Sequence, residues 1–441
     1  MTKSFPFSIQ TLRWAAVATA LGCGVGAASA QALTELVDFG RSYDAQYLAA
    51  KDQVEASTAK SAQAKAGLLP TVGASGSLSY TDIDKNDVVR KRALGLSAVQ
   101  PLFRKTNTIA YDQAQLGIAI AKVQLKAAEQ DLIVRVSQAY FDVLAARAQL
   151  VTVAASKSAV KEQLERAKRN FEVGTATITD TREAQAQYDR IVAAEIAAQN
   201  DAKVKQLALD QMVGKDNVQP HDLRADAHLP SVASQNVAQW VELALANNGQ
   251  VQMAQIGLKS AAMGIDKAKA GHLPTVDLSY NYSSPNVVNS PCRANVSTLC
   301  SSQTLAVSVN VPLFAGYAIQ NQVKEALALE NKARADLSNA QRNVSQITRS
   351  AYYGVLSGQS QITALQAAVA SSQSALDANK TGYDVGVRIN ADVLSAQSQL
   401  FQTQADLTKA RYNVVLGDLK LRQAVGTLSS DDVTRINAML N

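Results

Sequence analysis

The chain has 441 residues, of which 47% are hydrophobic, 18% charged and 5% aromatic, and its formal net charge is +6. A normal apolar fraction with only 9 prolines excludes a disordered chain. No apolar run after residue 30 approaches the roughly 20 residues a membrane-spanning helix needs. The modest charge, with no basic block interleaved with aromatics, excludes a nucleic-acid partner. Three His and three Cys leave little material for a metal or thiol enzyme.

Residues 1–30 read as a secretory signal peptide: Lys3 and Arg13, an apolar stretch from Trp14 to Gly26, and a small-residue cleavage site at Ala28-Ser29-Ala30. Cys23 opens a second processing route, because a lipid-anchored precursor is cut before a cysteine, but Ala20-Leu21-Gly22 matches that signal weakly. From there the chain reads as one unit written twice, at 31–213 and 234–430, joined by a linker at 214–233 containing Pro220 and Pro230, with a tail at 431–441. Each unit opens with a helix, about 34–66 and about 235–270, stopped by an Ala-Gly-x-Leu-Pro sequence. Two strands follow, then a very long helix (105–172 and 317–384), a glycine-containing turn and another helix (180–213 and 391–426).

The repeat rests on matches that keep one order. Leu69-Pro70-Thr71-Val72 returns as Leu273-Pro274-Thr275-Val276, and Pro101-Leu102-Phe103 as Pro312-Leu313-Phe314. Phe171-Glu172-Val173-Gly174 returns as Tyr383-Asp384-Val385-Gly386, and Asp180 as Asp392. On the long helices, Val355, Ile362, Val369, Leu376 and Tyr383 recur one heptad apart, as do Val393, Leu400, Leu407, Val414, Leu421 and Leu428. That stripe predicts coiled-coil packing, over helices rising roughly 100 Å.

The strands alternate apolar and polar residues. Val72, Ala74, Gly76, Leu78 and Tyr80 share one face; so do Val276, Leu278, Tyr280 and Tyr282, and Leu305, Val307, Val309, Val311 and Leu313. A weaker fourth strand carries Leu94, Leu96 and Ala98 before Gln100 and Pro101. Runs of roughly 9–11 residues fit tilted transmembrane strands, and the tyrosines, read as lying at strand ends, fit an aromatic girdle. A half-buried soluble sheet gives the same alternation. In lipid, four strands cannot close a barrel and an open edge is forbidden, so two, three or four copies must share one. Cys292 and Cys300, in the connection between the third and fourth strands, read as a small disulfide loop of a secreted chain.

With these features the chain resembles the TolC family of outer-membrane channel proteins over about 31–430. The resemblance rests on the repeat, the Leu-Pro-x-Val strands, the Pro-Leu-Phe strand ends and the turns at Gly174–Asp180 and Tyr383–Leu394. It implies a mixed α+β, mainly α fold: a homotrimer whose closed twelve-stranded barrel, four strands per chain, continues as a helical coiled-coil tunnel across the periplasm. It implies the outer membrane of a Gram-negative bacterium, contact with its lipid, and partners in a periplasmic adaptor (membrane fusion) protein and an inner-membrane pump or ABC transporter. It also implies a gate of polar links, with Tyr383 and Arg388 on one turn and Thr179 and Asp180 on the other, and an entrance ring at Asp392. A second acidic ring is replaced here by Ser395. No cofactor is expected. His221, His228 and His272 have no ligand-like partners, and no phosphate loop or nucleophile motif occurs. A trimeric coiled-coil adhesin or spacer and a stand-alone porin are the competing readings. An adhesin would place its strands at one chain end, and a porin would need more strands and no such helices.

Overall fold

The computed structural model describes residues 32–82, 88–224, 226–231, 236–288 and 301–440. The expected signal peptide, Cys23 and the expected Cys292–Cys300 bridge lie outside the described residues. The first half runs α1 (Leu33–Tyr43), α2 (Ala45–Ala66), β1 (Thr71–Asp82), β2 (Val88–Phe103), α3 (Lys105–Glu172) and α4 (Ile178–Val213). The second runs α5 (Val237–Asn247), α6 (Gly249–Lys269), β3 (Thr275–Val288), β4 (Ser302–Asn310), α7 (Ala318–Asp384) and α8 (Asn390–Val425), before α9 (Ser430–Asn437).

The single first helix expected in each half is in fact two. The breaks fall at Asp44 and Asn248, both in extended backbone. Each side chain turns back to cap the helix that follows, Asp44 accepting from the Tyr47 amide and Asn248 from the Gln250 amide. Short polar side chains offer the backbone this alternative to continuing a helix. Asp44 also receives both terminal nitrogens of Arg135 on α3, at 2.8 and 3.0 Å. The guanidinium holds the Asp44 carboxyl below its ordinary value.

The long helices follow the heptad reading. α3 has 68 residues and α7 has 67, and their partners α4 and α8 have 36 each. Val355, Ile362, Leu376, Val393, Leu400, Val414 and Leu421 are buried along the α7–α8 contact. α3 buries Ala146, Val153, Val160 and Ala167, one heptad apart. The largest core lies midway along α3, where Tyr140, Phe141 and Leu144 meet Leu33, Leu36, Leu419 and Ile436. There Tyr140 donates to the His221 carbonyl at 2.9 Å, and burial pushes the Tyr412 phenol up to about 12. The tail beyond residue 430 is helical: α9 docks on α1, with Asn437 accepting from the Leu33 amide at 3.0 Å.

The strands form one antiparallel sheet in the order β1-β2-β3-β4. Val72, Ala98, Tyr280 and Leu305 share one row, and Gly73, Ser97, Asn281 and Thr304 the next, facing the other way. Neither face is covered within the chain: Leu78 is 81% exposed and Leu305 70%. Three expectations change. β2 has 16 residues and runs through Gln100 and Pro101, tolerating the proline by a register irregularity between Pro101 and Phe103. β3 has 14 residues and continues through Pro285, above its last pair with β4, so Tyr280 lies within the strand rather than at its end. β4 stops at Asn310, leaving Val311 and Leu313 outside the sheet on either side of Pro312. Among the described residues no helix is long and apolar enough to cross a membrane.

Replacing Arg135 with Gln should lower unfolding stability by about 1.5–3 kcal/mol, the range for a charge-assisted hydrogen bond, because the Asp44 cap loses its cation. The same pair carries a pH signature. A lowered folded pKa makes Asp44's contribution complete above the unfolded value of 3.8, and it is lost as pH falls through the folded value. Thermal unfolding at pH 7 and below pH 4 should therefore show the wild type and R135Q converging in acid.

Candidate functional site

Both coiled coils end in a tight turn of the same build. After α3, Gly174 takes φ +78° and the amides of Thr175 and Ala176 bond to the Asn170 carbonyl at 2.8 and 3.1 Å. After α7, Gly386 takes φ +79° and the amides of Val387 and Arg388 bond to the Gly382 carbonyl at 2.8 and 3.0 Å. A left-handed residue is the usual helix stop, and only glycine enters it without steric cost. The tips expose apolar side chains, Val173 at 72% and Val387 at 79%.

The residues expected to form the gate sit at these turns, but within one chain they meet other partners. Asp180 Oδ2 accepts from the amide and hydroxyl of Thr177 at 2.9 and 2.7 Å, forming a capping box at the start of α4. Thr179 is exposed in the same helical turn. Arg388 reaches Asp392, one turn on, with Nη1–Oδ2 at 3.6 Å. The Tyr383 hydroxyl accepts from Asn170 Nδ2 at 3.2 Å, joining the end of α7 to the end of α3. The chain thus brings Arg388 to Asp392 and Tyr383 to Asn170, and brings neither to Asp180.

Four further residues tie the two coils together. Gln163 on α3 donates through Nε2 to Asn390 Oδ1, and both side chains are buried, Asn390 completely. Asn390 Nδ2 has no partner. Around this amide pair close Val160, Leu164, Ala167, Ala184 and, from α8, Leu394. Higher up, Gln187 on α4 donates to Ser398 on α8 at 3.1 Å. The seam between the first coil and α8 is therefore apolar with neutral polar bonds set into it. Gln163 and Asn170 escaped the sequence reading because their counterparts in the second half, Ala375 and Gly382, carry no amide. Their signal was there: Ser156, Gln163 and Asn170 form a polar heptad stripe beside the apolar one at Val153, Val160 and Ala167.

A family model described as "Outer membrane efflux protein" matches residues 43–215 and 240–427. The outer membrane protein TolC of Vibrio cholerae is 32% identical over 428 residues, covering 96% of this chain and 97% of that protein. The proteases secretion protein PrtF of Dickeya chrysanthemi is 29% identical over 428 residues, covering 94% and 92%. Among solved structures, CusC, titled for its transmembrane channel formation, superimposes with a TM-score of 0.80 at 18% identity, covering 89% of this chain and 92% of that one, a likeness of fold.

The amide pair makes a prediction about the seam. Gln163→Leu alone should destabilise the protein by about 1–3 kcal/mol, because Asn390 is left buried with neither end of its amide paired. Adding Asn390→Leu should recover most of that loss, since two apolar groups replace two polar ones in an apolar cluster. Chemical denaturation of the single and double variants checks it.

Proposed function

The chain belongs to the outer membrane efflux protein family, the family of TolC, and on that premise we propose how its parts divide the work of an export duct. It is an outer-membrane channel of a Gram-negative bacterium, an exit duct of the kind used in efflux and type I secretion. The observation that carries the reading further is the sheet with two unpaired edges. β1 and β4 each pair on one side only. In hydrocarbon every backbone N–H and C=O must find a partner, so β4 of one copy pairs with β1 of the next. Three copies close a twelve-stranded barrel. The alternating faces fit that assignment: Val72, Leu78, Leu94, Leu305 and Val307 toward lipid, and Gly73, Ser75, Ser97, Asn281 and Thr304 toward the lumen. These glycine, hydroxyl and amide groups offer solutes no charge to sort by, and Asp277, at the helix end of the same face, is held by Arg104. Sorting then falls to the helical tunnel and its entrance.

At the entrance, the Gly174 and Gly386 turns face the periplasm, where an adaptor protein and an inner-membrane pump or ABC transporter engage the tunnel. Arg388 and Tyr383 link to Asp180 and Thr179 across the assembled tunnel and hold the mouth closed. Two features support this. Both bonds from Thr177 go to Oδ2 of Asp180, leaving Oδ1 open to a neighbour. Arg388 is 58% exposed and its Asp392 contact is long, so the guanidinium can turn to a better carboxylate. Asp392, repeated by threefold symmetry, forms a ring that favours cations at the mouth, with Ser395 in place of a second ring.

Two measurements test this. Native mass spectrometry of the detergent-extracted protein should give a trimer, and a stable monomer would refute the shared barrel. In planar bilayers Arg388→Ser and Tyr383→Phe together should raise single-channel conductance, since each link is worth about 1.5–3 kcal/mol and symmetry triples the loss. Asp392→Ala should lower cation preference with little change in conductance. Because Arg388 also neutralises Asp392 in the chain, Arg388→Ser should raise cation preference as well. Unchanged conductance in a correctly assembled double variant would place the gate elsewhere.

A further inference from the structure

The apolar face of the sheet does not stay apolar to its end. On β2 it reads Ala98, Leu96, Leu94 and then Arg92, whose neighbours in the same row are Leu78 on β1 and Asn286 on β3. Two positions on, the register sets Arg90 on the same face, opposite Tyr80 and Val288. The adjoining strand turns polar at the same height, with Ser284 opposite Leu94 and Asn286 opposite Arg92. Arg92 is exposed, and no ion pair to it occurs among the described residues. An arginine on a lipid-facing strand is costly at mid-bilayer and close to neutral at the interface. Its position beyond Leu94 puts it at that interface.

The topology says which interface. All four helix-bearing strand ends, at Thr71, Phe103, Thr275 and Asn310, lie together, and Arg92 lies toward the opposite, hairpin end of β2. With the helices in the periplasm, the hairpin end is the outer surface. The Arg92 guanidinium offers a planar fork of donors that matches phosphate oxygens two at a time.

We propose that Arg92 forms a lipid-side docking site on the outer rim of the barrel for the phosphate groups of an anionic glycolipid of the outer leaflet. The occupant follows from charge complementarity and depth: the Arg92 cation at headgroup level, on the face turned to lipid, with apolar Leu94 and Leu96 beneath it for the acyl chains. The site rests on the barrel assignment above and adds a lipid specificity to it.

The test uses the full mature protein, reconstituted as its assembled form in bilayers containing bisphosphorylated lipid A or the same lipid A with its phosphates removed. Retained lipid is counted by native mass spectrometry, and channel conductance is recorded on the same preparations. A basic residue near a charged membrane surface contributes about fivefold. The wild type should therefore retain the phosphorylated lipid at least about fivefold better than the dephosphorylated one. R92Q should lose most of that preference and R92K should keep part of it, with inorganic phosphate at matched concentration failing to displace the lipid. Competition by inorganic phosphate would identify a free-anion site instead and overturn the lipid assignment. An assembled, conducting R92Q with wild-type preference would overturn the proposal and point to neutralisation of Arg92 within its own hairpin. Protein that neither assembles nor conducts in any lipid would overturn the barrel reading and this site with it.

Discussion

A β-sheet that enters a bilayer cannot leave an edge unpaired, and this sheet has two. Each unsatisfied backbone group in hydrocarbon costs several kcal/mol, and β1 and β4 present a row of them over 12 and 9 residues. Within one chain the sheet is therefore incomplete as a membrane element. On β2 the run of apolar residues on one face ends where Leu94 gives way to Arg92. Where the strands hand over to helices, Arg104 grips Asp277 on β3 with two bonds, at 2.8 and 2.7 Å. That fork fixes the direction in which α3 leaves the sheet.

Below the sheet, length is supplied by helices that cannot be stabilised by a compact core. Each coil is held by a seam, repeated every heptad, and the seams leave the two halves of the chain unequal. Val355, Val414 and Leu421 pack in one apolar cluster at the α7–α8 contact. The contact between the first coil and the second carries Gln163, Asn390, Asn170, Tyr383, Gln187 and Ser398 as well as leucines and valines. An apolar seam has no preferred alternative. A seam with a buried, half-satisfied amide does, because parting it returns the amide to water and recovers the cost of the orphaned Nδ2. Near the turns, then, the first coil and α8 are joined by neutral bonds that water can replace.

The middle of the molecule is built for permanence. Asp418 is almost fully buried and accepts from Arg422 at 3.0 Å and Arg435 at 2.7 Å, while Asp432 approaches the same two arginines at 3.3 and 3.5 Å. Arg41 bonds to Ser430 and Glu129. These contacts seat α9 against α1 and α8, and Leu223 bridges to Leu440 beside them. The belt joins α9 to α1 and α8 over the largest core. Losing one partner there strands a buried charge, which is far costlier than losing a surface pair.

Much of this was legible in the residues. Period-two alternation and period-seven stripes report directly on which side chains share a face, so the strands, the long helices and the order of elements could be read from spacing. The glycine turns were equally plain, because a left-handed stop has few substitutes. Boundaries were less legible. Asp44 and Asn248 end helices by turning their own side chains onto the backbone, and Pro101 and Pro285 stay in strands because a bulge or a free edge absorbs the missing N–H. Neither outcome is a property of the residue type alone. The partners of the turn residues were not legible at all. Tyr383, Arg388 and Asp180 could be placed by their positions in the turns. Asp180 and Arg388 each meet a residue within one turn of their own chain segment, Thr177 and Asp392, whereas Tyr383 meets Asn170 only because the two coils pack side by side, with Leu394 among Val160, Leu164 and Ala184. Local periodicity is carried by neighbours in sequence and so is written there. A contact between residues more than two hundred positions apart depends on every packing step between them, and only the tertiary structure decides it.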